Sequence, residues 1–376
     1  MVLVGLGDRN EIEVDLSGSV EAAQRLVSDM VGTDEVQLPG SGPVGFAALN
    51  FDAKIPGTAI IPEVVLGESN GVRFVTTLDE DSPRPLADVE AMVDRVLTRP
   101  LAPVPQKVRL ELDLPAESWR DHVVANARET IAGTDLEKAV FARALTLISS
   151  TPFDTARIVE RLAERFGAAL LFSIDGFVGA SPELLVSRRD RTVRAHPLAG
   201  TAARSADADV DAAAVEALLA SSKDRVEHQI TIDWLLSELL NFSSYVDAEP
   251  EPSVVTLENV HHLGTLVEGV LSEPPASVLE LVQAVHPTPA VGGKPQTDAL
   301  ALIRELEGLD RRRYAGPSGW FDGLGNGQFA VSVRTAQIEQ NTARVVAGVG
   351  VVAQSDPQAE LEETQSKFRA ILGSVF

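Results

Sequence analysis

Between Asp211 and Asn241 the residues Leu218, Leu219, Ile230, Trp234, Leu235 and Leu239 form one apolar stripe, which predicts a single long helix. Glu117 to Ala132 shows a shorter amphipathic pattern ending at Gly133. Asp356 to Leu372 predicts a third helix, with Ser355 or Asp356 as cap and Pro357 in its first turn. Strand patterns fill much of the rest. Leu136 to Leu147 is an apolar run interrupted by Lys138 and Arg143. Ala168 to Gly179 predicts two strands joined at Asp175-Gly176, a dipeptide suited to the left-handed backbone of a tight hairpin turn. Leu184 to Ser187 and Thr192 to Leu198 predict a second hairpin around Arg189-Asp190. Gly316 to Asp322 and Gln328 to Ile338 flank a glycine-rich turn, and Val345 to Ala353 is a further strand. Hairpins mixed with long helices predict an α+β, layered α/β fold of antiparallel sheets flanked by helices, and not a regular βαβ barrel.

The proline-containing stretch from Leu101 to Pro115 reads as a connector and a strand, and places a soft boundary there. Residues 1–110 carry no legible chemical motif and are expected to complete the fold; residues 111–376 carry the motifs and are expected to be the catalytic domain.

Charge narrows the partners. The chain has 55 acidic and 32 basic residues, a net charge of -23. Neither nucleic acid nor an anionic membrane surface suits such a chain. A small anionic substrate would meet a repulsive global field, so its site needs local lysines, arginines or a divalent cation. Cysteine is absent, which excludes disulfides, thiolate metal sites and a cysteine nucleophile. The first ten residues lack a signal-peptide pattern, and no apolar run is long enough to span a bilayer. The expectation is a soluble, cytoplasmic protein, a monomer or weak homo-oligomer.

Two acidic pairs stand out: Asp224 with Glu227, and Glu360 with Glu363. Each is spaced i, i+3, so both carboxylates leave one helix face. Two such helices facing each other would make an oxygen-rich site for a hard cation such as magnesium; solvated acidic faces are the alternative in so acidic a chain. Lys138 is either a general base set in an apolar strand or an edge lysine reaching water. Glu183, after Gly179-Ala-Ser-Pro182, is either an acid with a raised pKa or a turn residue. Pro197-Leu-Ala-Gly-Thr201 ends a strand in a turn whose N–H groups could meet an anion. Gly292-Gly-Lys-Pro295 lacks a P-loop ending, and adjacent His261 and His262 would point to opposite strand faces.

Taken in order, these segments resemble the chorismate-utilising enzymes, the family of isochorismate, salicylate, anthranilate and aminodeoxychorismate synthases. The resemblance runs from about Glu117 to Phe376. It rests on Glu137 to Arg143, Gly179 to Glu183, Pro197 to Thr201, Lys223-Asp-Arg-Val-Glu-His228, His262-Leu-Gly-Thr265, His286-Pro-Thr-Pro289, Ala347-Gly-Val-Gly350, and Asp356-Pro with Glu360 to Thr364. It implies the family's fold, chorismate as substrate and Mg2+ as cofactor. Glu227 and Glu363 are then the direct magnesium ligands, with Asp224 and Glu360 as water-mediated or outer partners. Arg334 is implied to hold the enolpyruvyl carboxylate. Gly200, Thr201, Tyr314, Gly350 and Lys367 are implied as further substrate contacts, with His262 near the ring. Members that use water carry a lysine at the position of Lys138, and aminodeoxychorismate synthases a nucleophilic lysine where this chain has Ala199. The resemblance therefore implies isomerisation of chorismate to isochorismate, with Lys138 deprotonating water for attack at C2 and Glu183 protonating the departing C4 hydroxyl. The alternatives are a salicylate synthase, which goes on to eliminate pyruvate, and a non-catalytic chorismate-binding protein.

Overall fold

A computed structural model describes residues 1–30, 32, 34–79, 84–257 and 260–376; the side chains of Asp8 and Lys223 are outside that description. The chain opens with β1 (Val2–Val14), α1 (Val20–Ser28), β2 (Val44–Ala48), β3 (Gly57–Ser69), β4 (Val72–Thr77) and α2 (Leu86–Leu97). Next come β5 (Val108–Leu112) and a continuous helical run: α3 (Ala116–Ser118), a π-helical turn (Trp119–Val124) and α4 (Ala125–Ala132). Then follow β6 (Lys138–Ser149), α5 (Thr155–Arg165), β7 (Leu170–Ile174), β8 (Phe177–Ser181), β9 (Leu184–Arg189), β10 (Thr192–His196) and β11 (Leu198–Ala203). The middle holds α6 (Ala208–Ala220), α7 (Ser222–Leu240), β12 (Ser243–Ala248), β13 (Ser253–Thr256), β14 (Val260–Gly264), β15 (Val267–Leu271) and α8 (Val278–Val285). The chain closes with β16 (Gly293–Lys294), α9 (Gln296–Leu306), β17 (Pro317–Asp322), β18 (Gly327–Val331), β19 (Thr335–Glu339), β20 (Thr342–Val351) and α10 (Pro357–Val375).

The strands form three antiparallel sheets. A ten-stranded sheet runs β1-β3-β2-β17-β18-β9-β10-β15-β12, with β4 also on β3. A seven-stranded sheet runs β16-β6-β20-β19-β8-β7, with β5 on β6, and β11-β14-β13 form a small third sheet. The strands β1 to β4 are thus part of the large sheet: β2 pairs β17 from Ser318 opposite Ala48 to Asp322 opposite Val44. The layered arrangement of antiparallel sheets and helices is the predicted α+β architecture.

Strand alternation gives β6 two different faces. Ala142 and Ala144 join a core shared with Val186, Val193, Phe329 and helices α1, α7 and α8. Leu145 and Leu147 instead pack under α5 and α10, against Ile158, Leu162, Phe368 and Ile371. Lys138 and Val140 share parity with the first set, so they point between the layers.

Among the departures of the structure from the sequence pattern, three lie beside the site. The helix predicted over Asp211 to Asn241 is two helices. Ser221, at φ -68 and ψ 106, leaves the helical region, and its hydroxyl accepts from the Asp224 N–H to start α7. A serine that caps the following turn outcompetes an apolar stripe at its weakest point. The strand predicted over Gln328 to Ile338 is also broken: β18 ends in the large sheet and β19 begins in the seven-stranded one. Arg334 makes the step between them with φ 55. Third, the segment expected to turn at Gly200-Thr201 is the strand β11, with its register shifted between Ala199 and Ala202.

Candidate active site

A cavity of about 140 Å3 opens where β6, β11, β20, α7 and α10 converge. Lys138, at the start of β6, is only 3% exposed. Its Nζ donates to Glu227 Oε1 of α7 at 2.6 Å. Gly350 on β20 makes room for this pair, since a Cβ there would stand 2.6 Å from Lys138 Cε.

Glu183 sits in the turn from β8 to β9, its N–H bonded to the Ser181 hydroxyl at 3.2 Å. The side chain is buried, and among the described residues its Oε1 has no hydrogen-bond partner. Burial pushes its pKa up to about 7, against the opposing pull of Lys138, the Leu198 backbone and Arg334. A carboxyl in such a pocket keeps its proton close to neutral pH, which is what a general acid requires.

The same cavity holds a part-buried Arg334–His262–Gly200 chain. The Gly200 carbonyl can only accept, so the 2.8 Å bond to His262 Nδ1 places the proton on that nitrogen. Nε2 is then the acceptor for Arg334 Nη2 at 2.9 Å. Burial, then Arg334, lower the His262 pKa to about 3, so the ring is neutral. Burial also lowers Arg334 to about 10, still a cation at neutral pH. Gly200 holds φ +65, and a Cβ there would press on the Asp224 Cβ at 3.0 Å. Thr201 lines the same wall.

On the far side, Lys367 Nζ donates to the Gly348 carbonyl at 2.9 Å and pairs with Glu363 at 2.7 Å, one turn back on α10. Tyr314 is buried, its phenol pKa pushed up to about 12 mainly by burial, so it stays a neutral hydroxyl. These groups, with Gly350, line the cavity; Asp224 and Glu360 do not. Asp224 lies behind Gly200, and Glu360 is buried in the first turn of α10. His261 points away, bonding Asp211 at 3.1 Å and Thr256 at 3.0 Å, as the strand alternation predicts.

Sequence reasoning missed the apolar wall: Val140, Ala290, Val291, Val333 and Ile371. Such residues look like ordinary core until the cavity is seen. For a cation, Glu227 and Glu363 offer hard oxygen donors from two helices into one space. Among the described residues no group of three or more His, Cys, Asp or Glu is gathered to hold a metal. Two carboxylates completed by water and substrate oxygens still suit magnesium, which seldom takes an all-protein shell.

A family model described as "Chorismate binding enzyme" matches residues 1–375. The chain belongs to the chorismate-binding enzymes. The match takes in the N-terminal third, where the sequence showed no motif. The putative isochorismate synthase MenF of Mycobacterium tuberculosis is 37% identical over 348 residues, 89% of this chain and 86% of that one. Isochorismate synthase EntC of Escherichia coli is 34% identical over 69% of this chain and 67% of its own. The crystal structure of a putative 2,3-dihydroxybenzoate-specific isochorismate synthase, DhbC, from Bacillus anthracis superposes with a TM-score of 0.81 at 30% identity, covering 99% of this chain and 93% of that one. The cavity of this chain is lined by the carboxylates Glu183, Glu227 and Glu363 and by the side chains of Lys138, Arg334 and Lys367. No helix among the described residues is long and apolar enough to cross a membrane.

Proposed function

We propose that this protein is an isochorismate synthase that isomerises chorismate to isochorismate. The observation that carries the reading is that Lys138 and Glu183 line one cavity, with Glu183 protonated up to a pH of about 7. Water adds at ring C2 and gives a proton to Lys138. The C4 hydroxyl leaves as water with the proton of Glu183. Passage of a proton from Lys138 back to Glu183 then restores the site. Ala199 in the cavity wall offers no amine nucleophile, which agrees with hydration and not amination.

Glu227 and Glu363 would hold Mg2+, with Asp224 and Glu360 acting from behind. When bound, the ion neutralises the ring carboxylate and favours attack on the conjugated ring. Arg334, oriented by neutral His262, meets the enolpyruvyl carboxylate. Lys367, Tyr314, Thr201 and the backbone at Gly200 and Gly350 complete the substrate's surroundings. On this reading the protein works in the cytoplasm as a monomer or weak homo-oligomer, its product feeding menaquinone or siderophore synthesis.

The test is product analysis after incubation with chorismate and magnesium. Isochorismate alone is expected. Pyruvate together with salicylate would make the protein a salicylate synthase, and unchanged chorismate would leave only a binding role.

A further inference from the structure

The two cavity carboxylates share a feature that their role as ligands does not explain. In each case the next residue along the helix is a buried polar side chain tied to a different element. His228 follows Glu227 and is 3% exposed; its Nε2 and the Thr265 hydroxyl stand 2.7 Å apart. Thr265, also 3% exposed, lies just past β14, the strand that carries His262. Thr364 follows Glu363 and is fully buried; its hydroxyl accepts from Arg143 Nε at 2.8 Å and donates to the Leu361 carbonyl at 2.7 Å.

The second tie is costly on its own terms. Arg143 is 6% exposed, and burial lowers its pKa against the opposing charge of Glu117. Its guanidinium packs against the faces of Phe368, at 4.9 Å, and Trp119, at 5.8 Å. Burying a cation is less favourable than burying an apolar side chain of the same volume, so stability alone does not account for it. What the arginine does fix is direction: a planar fork between two rings can meet the Thr364 hydroxyl in few orientations. The first tie has the same character, since a single ring nitrogen and one hydroxyl join α7 to the turn after β14.

Adjacent helical residues project about 100° apart. Pinning His228 and Thr364 therefore sets the rotation of their helices and so the aim of Glu227 and Glu363. We propose that the His228–Thr265 and Thr364–Arg143 ties are positioning devices that fix the separation of the two carboxylates and with it the affinity of the cavity for a divalent cation. The inference rests on the cation reading given above. It also gives a role to three motif residues, Arg143, His228 and Thr265, that the chemistry itself leaves unused.

Magnesium alone, without substrate, is the probe, titrated by calorimetry into the full-length protein. Thr265→Val and Thr364→Val keep shape and remove the hydroxyl; each is expected to weaken magnesium binding on the order of tenfold. Thr265→Ser and Thr364→Ser restore the hydroxyl and should return affinity close to that of the parent. In turnover, the valine variants should raise the magnesium requirement more than the chorismate KM. Should one valine variant not fold, the other and Arg143→Lys, which keeps charge but loses the planar fork, test the same point. Valine variants that bind magnesium as tightly as the parent overturn this inference and leave the cation reading standing. A parent that shows no magnesium binding overturns both.

Discussion

In the proposed mechanism two side chains carry the chemistry, and both can be tested one residue at a time. Glu183 owes its raised pKa chiefly to burial, so it is protonated below about 7 and charged above. Turnover should therefore fall as pH rises through that value. Glu183→Gln cannot donate the proton, and kcat should drop by ~10²–10⁴-fold with chorismate binding retained; a change confined to KM would make Glu183 a binding residue. The same shift has a stability consequence. A group whose folded pKa lies above its unfolded value of 4.5 supports the fold fully below that value and progressively less as pH rises to about 7. Denaturant melts at pH 5 and pH 8 should show Glu183→Gln gaining on the parent at the higher pH, by up to roughly 3 kcal/mol. For Lys138 the decisive variant is arginine. It keeps an N–H donor beside Glu227 but stays protonated and cannot accept a proton. Lys138→Arg should bind chorismate and form no isochorismate; near-normal product would reduce Lys138 to an electrostatic contact.

At the scale of elements, the break between α6 and α7 decides where Glu227 points. Ser221 ends one helix and caps the next, its hydroxyl 3.2 Å from the Asp224 nitrogen. Ser221→Ala should cost about 1 kcal/mol in urea denaturation, and should raise KM for chorismate by letting the first turn of α7, with Asp224, fray just ahead of Glu227. A variant with lower stability but parental kinetics would show that the cap matters to the fold alone. This break was invisible in the pattern because the apolar stripe continues across it, from Leu218 and Leu219 to Ile230 and Trp234. The step at Arg334 was hidden for the same reason. Gln328 to Ile338 alternates well enough for one strand, yet Arg334 takes a left-handed backbone and passes the chain to another sheet. Periodicity reports which faces are apolar, and not which sheet each face joins. The hairpin at Asp175-Gly176 was legible because its turn chemistry is local: both residues have positive φ, 48 and 67.

The whole molecule adds what no motif could supply. Residues from β6, β11, α7, β14, β20 and α10 meet only because three sheets stack. The polar residues of the cavity were reached through the family resemblance, whereas its apolar wall, Val140, Val291 and Ile371, was not. Net charge acts at this scale too. A chain of charge -23 repels a dianion such as chorismate at distances beyond the reach of Lys138, Arg334 and Lys367. The Debye length shrinks from about 30 Å at 0.01 M salt to about 8 Å at 0.15 M. Salt therefore screens the distant acidic surface first and the lysines and arginine inside the cavity last, because buried charges are shielded least. The sign is then opposite to that of an enzyme steered by complementary charge: kcat/KM, at fixed saturating magnesium, should rise over this range of ionic strength. Stopped-flow or initial-rate measurements in sodium chloride would read it directly. A fall over the same range would mean that the field at the cavity mouth, set by its few cations, outweighs that of the whole surface.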